Sequence, residues 1–290
     1  MRAPPPATLY GCDFTSAPRP RKPITIAACS LEDGTLHLRA LDALPDFASF
    51  EAFLRHPGPW LAALDFPFGL PRRFLRAFDW PQNWEEYVAL IAALGKQGFE
   101  ETVHRYRREQ PVGEKLPLRV CDRLAGAISP LMLHRVPVGK MFFQGAPRLL
   151  ASGASILPCR PTDANRFVFE GYPGLVARRW LGRRSYKSDE RKKQTAAQRE
   201  ARRELLQALQ SEEARAYYGL ELHVPTELVP ELLDDPNGDR LDALLCALQA
   251  GWAAQRGEQG YGIPSEVDEV EGWIVDPATS THSSPSRQTS

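Results

Sequence analysis

The 290-residue sequence lacks most of the features that identify a function directly. Its five cysteines are scattered and include no C-x-x-C pair, which argues against a disulfide framework and a cysteine zinc site. There is no H-E-x-x-H, P-loop, G-x-G-x-x-G or G-x-S-x-G motif. No apolar run approaches the ~20 residues of a membrane helix, and the first residues have no apolar stretch like that of a signal peptide. We therefore expect a cytoplasmic protein with no membrane partner.

Net charge gives no indication of a partner, because 36 basic residues balance 36 acidic ones. The distribution is uneven, however, and residues 178–203 contain 11 Lys or Arg against three acids. Such a segment can neutralise the phosphates of a nucleic acid, and it equally suits the solvated face of a helix. Lys187 and Arg191 within it are candidate contacts to a DNA or RNA backbone.

The first third of the chain has the patterns of β-strands. LYGCDF is a short apolar strand, and ITIAACSLEDGTLHLRAL predicts two antiparallel strands around the Asp33-Gly34 turn. DFASFEAFLRH has the apolar spacing of a helix. WLAALDF then predicts a buried strand that ends at a proline.

Helices dominate the prediction for the remainder. Residues 71–150 are predicted as a helical insertion, followed by the strand RFVFEGYPG and a charged helical stretch over residues 175–210. DRLDALLCALQAGWAAQR is a strong closing helix, and the Ser/Thr/Pro-rich residues 277–290 are expected to be disordered. The fold class predicted is α/β, with one domain over residues 8–276 and helices packed on a mixed sheet.

Acidic residues mark the ends of the predicted strands and the start of the closing helix. Asp13 and Asp65 each end a strand, Glu170 lies near the end of another, and Asp239 and Asp242 share one helical face. Mg²⁺ and Mn²⁺ prefer oxygen ligands of this kind. Carboxylates brought together raise each other's pKa unless a cation offsets their charge. The joint placement therefore favours a cation site.

Each acid also has an ordinary explanation. Asp13 precedes Thr and Ser, which is common where a strand turns, and Asp65 can cap the turn that follows it. Asp239 suits the first turn of a helix, where the dipole favours negative charge. Asp242 is harder to explain in this way, because it begins an otherwise apolar face where an unpaired carboxylate is costly.

Five short motifs carry a resemblance to a known family. In chain order they are GCDFTSAP, ALDFPFGLP, EGYPG, GDRLDALLCALQAG and EGWI. Together they resemble the predicted nucleases of the ribonuclease H fold catalogued as domain of unknown function 429, related to RuvC-type resolvases. The resemblance implies a ribonuclease H-like sheet, with three antiparallel strands followed by two parallel ones. It also implies catalytic roles for Asp13, Asp65, Asp239 and Asp242, with Mg²⁺ or Mn²⁺ bound by Asp13, Asp65 and Asp242.

The leading hypothesis is a metal-dependent nuclease, and it extends to residues outside these motifs. Glu170 is a candidate additional metal ligand, and Arg119 and Lys140 are candidate substrate contacts in the insertion. Two alternatives stay open, namely an actin-like nucleotide-binding ATPase, which uses a similar acid on its first strand, and a non-catalytic nucleic-acid-binding module.

Overall fold

In the computed structural model, residues 8–280 are described, apart from the side chain of Arg191. Within this part of the chain, seven strands form one sheet in the order β5-β6-β4-β1-β2-β3-β7. The strands are β1 (Thr8–Asp13), β2 (Ile24–Glu32), β3 (Thr35–Leu44), β4 (Trp60–Leu64), β5 (Ser155–Leu157), β6 (Arg166–Glu170) and β7 (Glu221–His223).

The strand directions confirm the mixed sheet expected from the sequence. Strands β1, β2 and β3 pair antiparallel, whereas β4 runs parallel to β1 and β6 runs parallel to β4. Two edge strands were not predicted. Strand β5 pairs parallel with β6, and β7 pairs parallel with β3. Each has three residues, which is too short for the alternating pattern that reveals a strand.

Helices cover both faces of the sheet. They are α1 (Phe47–Arg55), α2 (Arg72–Ala77), α3 (Trp84–Glu109), α4 (Val120–Ala125), α5 (Val138–Ser152), α6 (Pro173–Leu181), α7 (Ala196–Leu209), α8 (Glu212–Tyr218), α9 (Val229–Leu233), α10 (Asp239–Ala254) and α11 (Pro277–Ser280). None of the described helices combines the length and apolar character that a membrane crossing needs.

The two faces of the sheet have separate apolar cores. On one face, α10 and residues of α6 and α7 pack against Leu9, Leu61 and Phe169. On the other face, α1, α3 and α5 pack against Cys12 and Leu64. The helical insertion predicted for residues 71–150 is present as α2 to α5. Successive residues of a strand point to opposite faces, so the two cores show which face each side chain of the sheet occupies.

Helix α10 lies directly on β1 because β1 contains Gly11. A Cβ atom at Gly11 would lie 2.0 Å from the carbonyl oxygen of Ala243 and 2.1 Å from the amide nitrogen of Ala247. Only glycine permits this approach of helix to strand. The contact brings the first turns of α10 to the end of β1, where Asp13 lies two residues beyond Gly11 on the same face.

The helical stretch predicted over 175–210 ends earlier than expected, and a glycine is the reason. The stretch predicted over 175–210 is two helices, because Gly182 ends α6 with φ 62° and α7 begins only after Thr195. The segment between them is irregular, except for a 3-10 turn at Arg191–Lys193. Helix α4 ends at Gly126, with φ 57°. Left-handed backbone of this kind favours glycine and stops a helix.

The C-terminal prediction also needs correction. Residues 277–280 form α11 rather than part of a disordered tail. Thr279 is buried, and its hydroxyl donates to the carbonyl oxygen of Ile274 at 2.7 Å. Residues 281–290 lie outside the described residues. Just before α11, the segment GWIVD contacts the sheet through a parallel bridge between Glu170 and Ile274.

Candidate functional site

The register of two parallel strands places Asp13 beside Asp65. Cys12 on β1 is paired with Leu64 on β4, so the next residue on each chain is an aspartate. The backbone N–H of Asp65 donates to the carbonyl oxygen of Cys12 at 2.9 Å, so the pairing of the two segments continues to the residue after β4. Because side chains alternate between the two faces of a sheet, Asp13 and Asp65 lie on the same face as Gly11, which is the face that packs against α10.

Helix α10 contributes the third carboxylate. Asp242 lies in its first turn and is fully buried, and Asp13 is 8% exposed. Asp13, Asp65 and Asp242 each offer a carboxylate oxygen, and these oxygens all lie within 4.8 Å of one another. Three elements far apart in sequence therefore form one group, which we call the aspartate cluster. Its donors are the oxygen ligands that Mg²⁺ and Mn²⁺ prefer.

A tyrosine and a lysine from the irregular segment between α6 and α7 bind Asp242. The hydroxyl of Tyr186 donates to Oδ1 at 2.5 Å, and the ammonium of Lys187 forms an ion pair with Oδ2. Lys187 reaches the cluster across Gly238, where an added Cβ would lie 2.9 Å from the Cβ and Cδ of the lysine. The glycine before α10 therefore leaves room for the lysine side chain.

The electrostatics of the aspartate cluster favour an additional cation. Burial raises the pKa of Asp13 well above its ordinary value, and the charges of Asp239 and Asp242 raise it further. Burial, followed by the charge of Asp242, raises the pKa of Asp65 to about 7. Burial also raises the pKa of Asp242, although Lys187 opposes this effect. Protons or metal ions are thus needed to offset the negative charge.

Asp239 lies next to the aspartate cluster and is not one of its three members. It is the first residue of α10 and is 9% exposed. Burial and the neighbouring Asp235 raise the pKa of Asp239 to about 6, and Lys22 partly offsets this rise. Its charge is close enough to raise the pKa of Asp13, so Asp239 is a neighbour that can exchange a proton near neutral pH.

Glu170, expected as a further metal ligand, instead binds an arginine. It pairs with Leu64 across the sheet, one residue before Asp65, and its side chain therefore lies on the opposite face from the aspartate cluster. Its carboxylate accepts from the backbone N–H of Phe68 at 2.9 Å and from the guanidinium of Arg119 at 2.7 Å. This geometry argues against Glu170 as a ligand of the ion that the aspartates would bind.

Arg119 lines the cleft described below, but its guanidinium is already bound by partners within the protein. It is 1% exposed and is held by two carboxylates, Asp122 and Glu170. Its guanidinium also donates to the carbonyl oxygen of Glu271 at 2.9 Å. Cys121, Asp122 and Glu170 form a second group with the spacing of metal ligands, but the arginine already supplies a positive charge there.

The other predicted substrate contacts have different surroundings. Lys140 is 3.7 Å from Glu100 and lines a separate cleft with Ser16 and Lys96. Lys187 belongs to the aspartate cluster, as described above. The side chain of Arg191 lies outside the described residues.

Many cations of the basic segment have partners within the protein. Among the side chains that the structure describes, five form ion pairs, those of Arg184, Lys187, Lys193, Arg199 and Arg203. Four of these pairs are exposed, and such pairs contribute little to stability. Arg202 is buried, and its guanidinium donates to the carbonyl oxygens of Leu233 and Tyr186. Lys187 and Arg202 therefore connect this segment to the interior.

A cleft of ≈ 410 Å³ opens beside the aspartate cluster. It is lined by Asp65, Tyr186 and Lys187 of the site and by apolar side chains that include Ile128 and Val136. The sequence does not indicate this cleft, because Ile128 and Val136 belong to an irregular segment after α4 within a stretch whose pattern predicts helix. The Tyr186-Lys187 pair was equally hidden as an Asp242 partner, since it lies 55 residues away in a generally basic stretch.

The fold and site together define a mixed α/β protein with an aspartate cluster at the carboxyl ends of two parallel strands and the first turn of a buried helix. The chain belongs to the family described as "Protein of unknown function (DUF429)", whose sequence profile matches residues 11–269. This confirms the membership of domain of unknown function 429 that the motifs indicate. No curated protein and no solved structure matches the chain.

Proposed function

We propose that this protein is a divalent-metal-dependent nuclease, related to the RuvC-type resolvases of the ribonuclease H fold. The observation that carries the proposal is the convergence of Asp13, Asp65 and Asp242 within 4.8 Å. The topology supports it as well, because the acids lie on the first strand, at the end of the fourth and on the closing helix. The resemblance implies these same positions for the family's catalytic acids.

The charge of the site suits one divalent ion. Three ionised aspartates carry −3, and the ammonium of Lys187, bonded to Asp242, contributes +1. The remaining −2 matches the charge of one Mg²⁺ or Mn²⁺. Asp13, Asp65 and Asp242 would hold that ion, which when bound polarises a phosphodiester and lowers the pKa of an attacking water.

The protein's own residues would supply the remaining functions. Lys187 presents a positive charge at the rim of the aspartate cluster, where a phosphate oxygen can bind without facing only carboxylates. Asp239, with its pKa raised to about 6 by burial, can accept a proton next to the cluster. Tyr186 fixes the orientation of Asp242 through its hydroxyl.

Cleavage of labelled nucleic acids tests this proposal. Single strands, duplexes and junctions of DNA and RNA are incubated with Mg²⁺, Mn²⁺ or EDTA. We expect cleavage only with the divalent ion, and loss of cleavage in Asp13→Asn and Asp242→Asn. Asp33→Asn, in the exposed turn between β2 and β3, is the matched control and should cleave like the wild type.

Three results would contradict the proposal: no divalent ion bound to the folded protein, cleavage in EDTA, or wild-type cleavage by both aspartate variants. The same samples separate the alternatives. Stabilisation by ATP with Mg²⁺ and no cleavage would indicate a nucleotide-binding protein. Binding of nucleic acid that needs no metal and leads to no cleavage would indicate a binding module.

A further inference from the structure

The cleft beside the aspartate cluster differs in character from the cluster itself. A phosphate group needs positive charge or a metal ion, yet the cleft that contains Asp65 and Lys187 is also lined by the apolar side chains of Ile128, Val136 and Met141, which we call the apolar wall. An apolar wall does not stabilise a phosphate. It suits a part of the substrate that is flat, uncharged and attached close to the phosphate.

The apolar wall is also unusually exposed. Five large apolar side chains are exposed in the described part of the chain, and two of them, Ile128 at 38% and Val136 at 49%, line this cleft. Exposed apolar side chains that face a common cleft are a recognised sign of a ligand site. Both belong to the irregular segment between α4 and α5.

This segment is bonded to α6, which also lines the cleft. The guanidinium of Arg178 on α6 donates to the carbonyl oxygens of Ala125 and Gly126, and it lies 5.4 Å from the centre of the Tyr172 ring. Arg178, Tyr172 and the apolar side chains all line the cleft. The cleft therefore combines apolar, aromatic and cationic side chains, which are groups that can pack against an aromatic ring.

The size of the cleft limits what can enter. Its ≈ 410 Å³ falls in the range of sites for small molecules and cofactors, roughly 300–1,000 Å³. One nucleobase with its sugar fits such a volume, whereas a duplex, whose bases are already stacked and paired, cannot place one there without first unpairing it.

We propose that this cleft binds the base of the nucleotide next to the scissile phosphate, so that the substrate is an unpaired nucleotide in a single strand, a frayed end or a flipped position. The inference rests on the proposed nuclease function and names its substrate class. The charges of the cleft are compatible with the same occupant. Arg178, Arg184 and Lys187 line it, and its two further acids, Asp122 and Glu170, are both paired with Arg119.

The test compares two nucleic acids and one phosphodiester that has no base. A labelled single-stranded oligonucleotide, the same strand in a duplex and, as the base-free ester, a labelled strand made entirely of abasic deoxyribose phosphates are each incubated with protein and Mn²⁺. The wild type should cleave the single strand at least about tenfold faster than the duplex, because the duplex must first unstack a base.

Variants of the apolar wall locate the effect. Ile128→Asp and Val136→Asp place a negative charge where the base would stack, and each should raise KM for the single strand about tenfold or more. They should leave kcat and the hydrolysis of the base-free ester unchanged. Val112→Asp is the matched control, since Val112 is 93% exposed and does not line the cleft, and it should behave like the wild type.

The outcomes separate the two proposals. If the protein hydrolyses the base-free ester and the single strand, and both cleft variants keep the wild-type KM, the substrate-class inference is overturned and the nuclease proposal stands. Equal cleavage of duplex and single strand would also overturn the inference. If no phosphodiester is cleaved, the nuclease proposal fails, and the inference fails with it.

Discussion

Replacing Lys187 by methionine gives the most direct view of how the aspartate cluster is balanced. The lysine ammonium forms an ion pair with Asp242, which is completely buried. A metal ion bound by the aspartates must share Asp242 with this positive charge. Lys187→Met keeps most of the side-chain volume and removes the charge, so the metal-free protein should lose stability while the affinity for a divalent ion increases.

The size of both effects follows from the surroundings of the lysine. Two unit charges ~4 Å apart interact by ~4 kcal/mol at an effective dielectric constant of about 20. The Lys187 side chain is 38% exposed, so solvent screening reduces the gain. A value of ~2 kcal/mol corresponds to about thirtyfold tighter binding. Without metal, leaving a buried carboxylate unpaired costs about 3 kcal/mol, which for a chain of this size lowers Tm by roughly 6 °C.

Calorimetric titration with Mn²⁺ measures the affinity, and thermal unfolding in EDTA and in Mn²⁺ measures the stability. We expect one tightly bound ion per wild-type chain. Lys193→Met is the matched control, because Lys193 belongs to the same segment but forms an exposed pair with Glu190. If Lys187→Met binds Mn²⁺ with wild-type affinity and unfolds in EDTA at the wild-type temperature, the charge balance argued above is refuted.

Four further predictions concern other parts of the structure. Gly11→Ala should lower the free energy of unfolding by about 3 kcal/mol or more, measured in urea, because its Cβ would overlap the backbone of α10; wild-type stability would contradict the close packing. Burial raises the pKa of Asp65 to about 7, so protons compete with metal, and Mn²⁺ affinity measured by titration should fall as pH decreases from 8 to 6; a constant affinity would show no such competition. Burial also raises the pKa of Asp276 to about 6, above its unfolded value near 4. The folded state therefore holds the extra proton between these pH values, so the unfolding free energy should fall as pH rises through the window, and less steeply in Asp276→Asn; identical slopes would refute the assignment. Glu170→Gln should cost about 3–5 kcal/mol of stability by leaving Arg119 with one carboxylate fewer, yet keep Mn²⁺ binding; loss of binding in a folded variant would make Glu170 a ligand after all.

The sequence supports the sheet and the acids at its strand ends because both depend on local patterns. The Asp33-Gly34 turn and the apolar run before Asp65 determine the neighbouring strands, and those strands bring Asp13 and Asp65 together through one parallel pairing. No local pattern states which face Glu170 occupies. That depends on the register of β6 against β4, which opposes Glu170 to Leu64 rather than to Asp65.

The sequence points to Lys187 for a different reason than the one the structure shows. In the sequence Lys187 is one cation of a basic stretch, whereas in the structure it binds Asp242. Its position depends on the break in the helix at Gly182 and on the space left by Gly238. A contact between segments this far apart in the chain follows no regular spacing in the sequence, so no sequence pattern predicts it.

Arg119 connects three distant regions of the chain, and this has a consequence for how the domain can be shortened. It is the N-cap residue of α4 in the insertion, it pairs with Glu170 at the end of β6, and it donates to the backbone carbonyl of Glu271. Excising the insertion to obtain a minimal catalytic fragment would remove Arg119 and leave the buried carboxylate of Glu170 without its positively charged partner. The inserted helices are therefore a structural brace of the sheet, and a truncated fragment would need Glu170 replaced by an uncharged residue to fold.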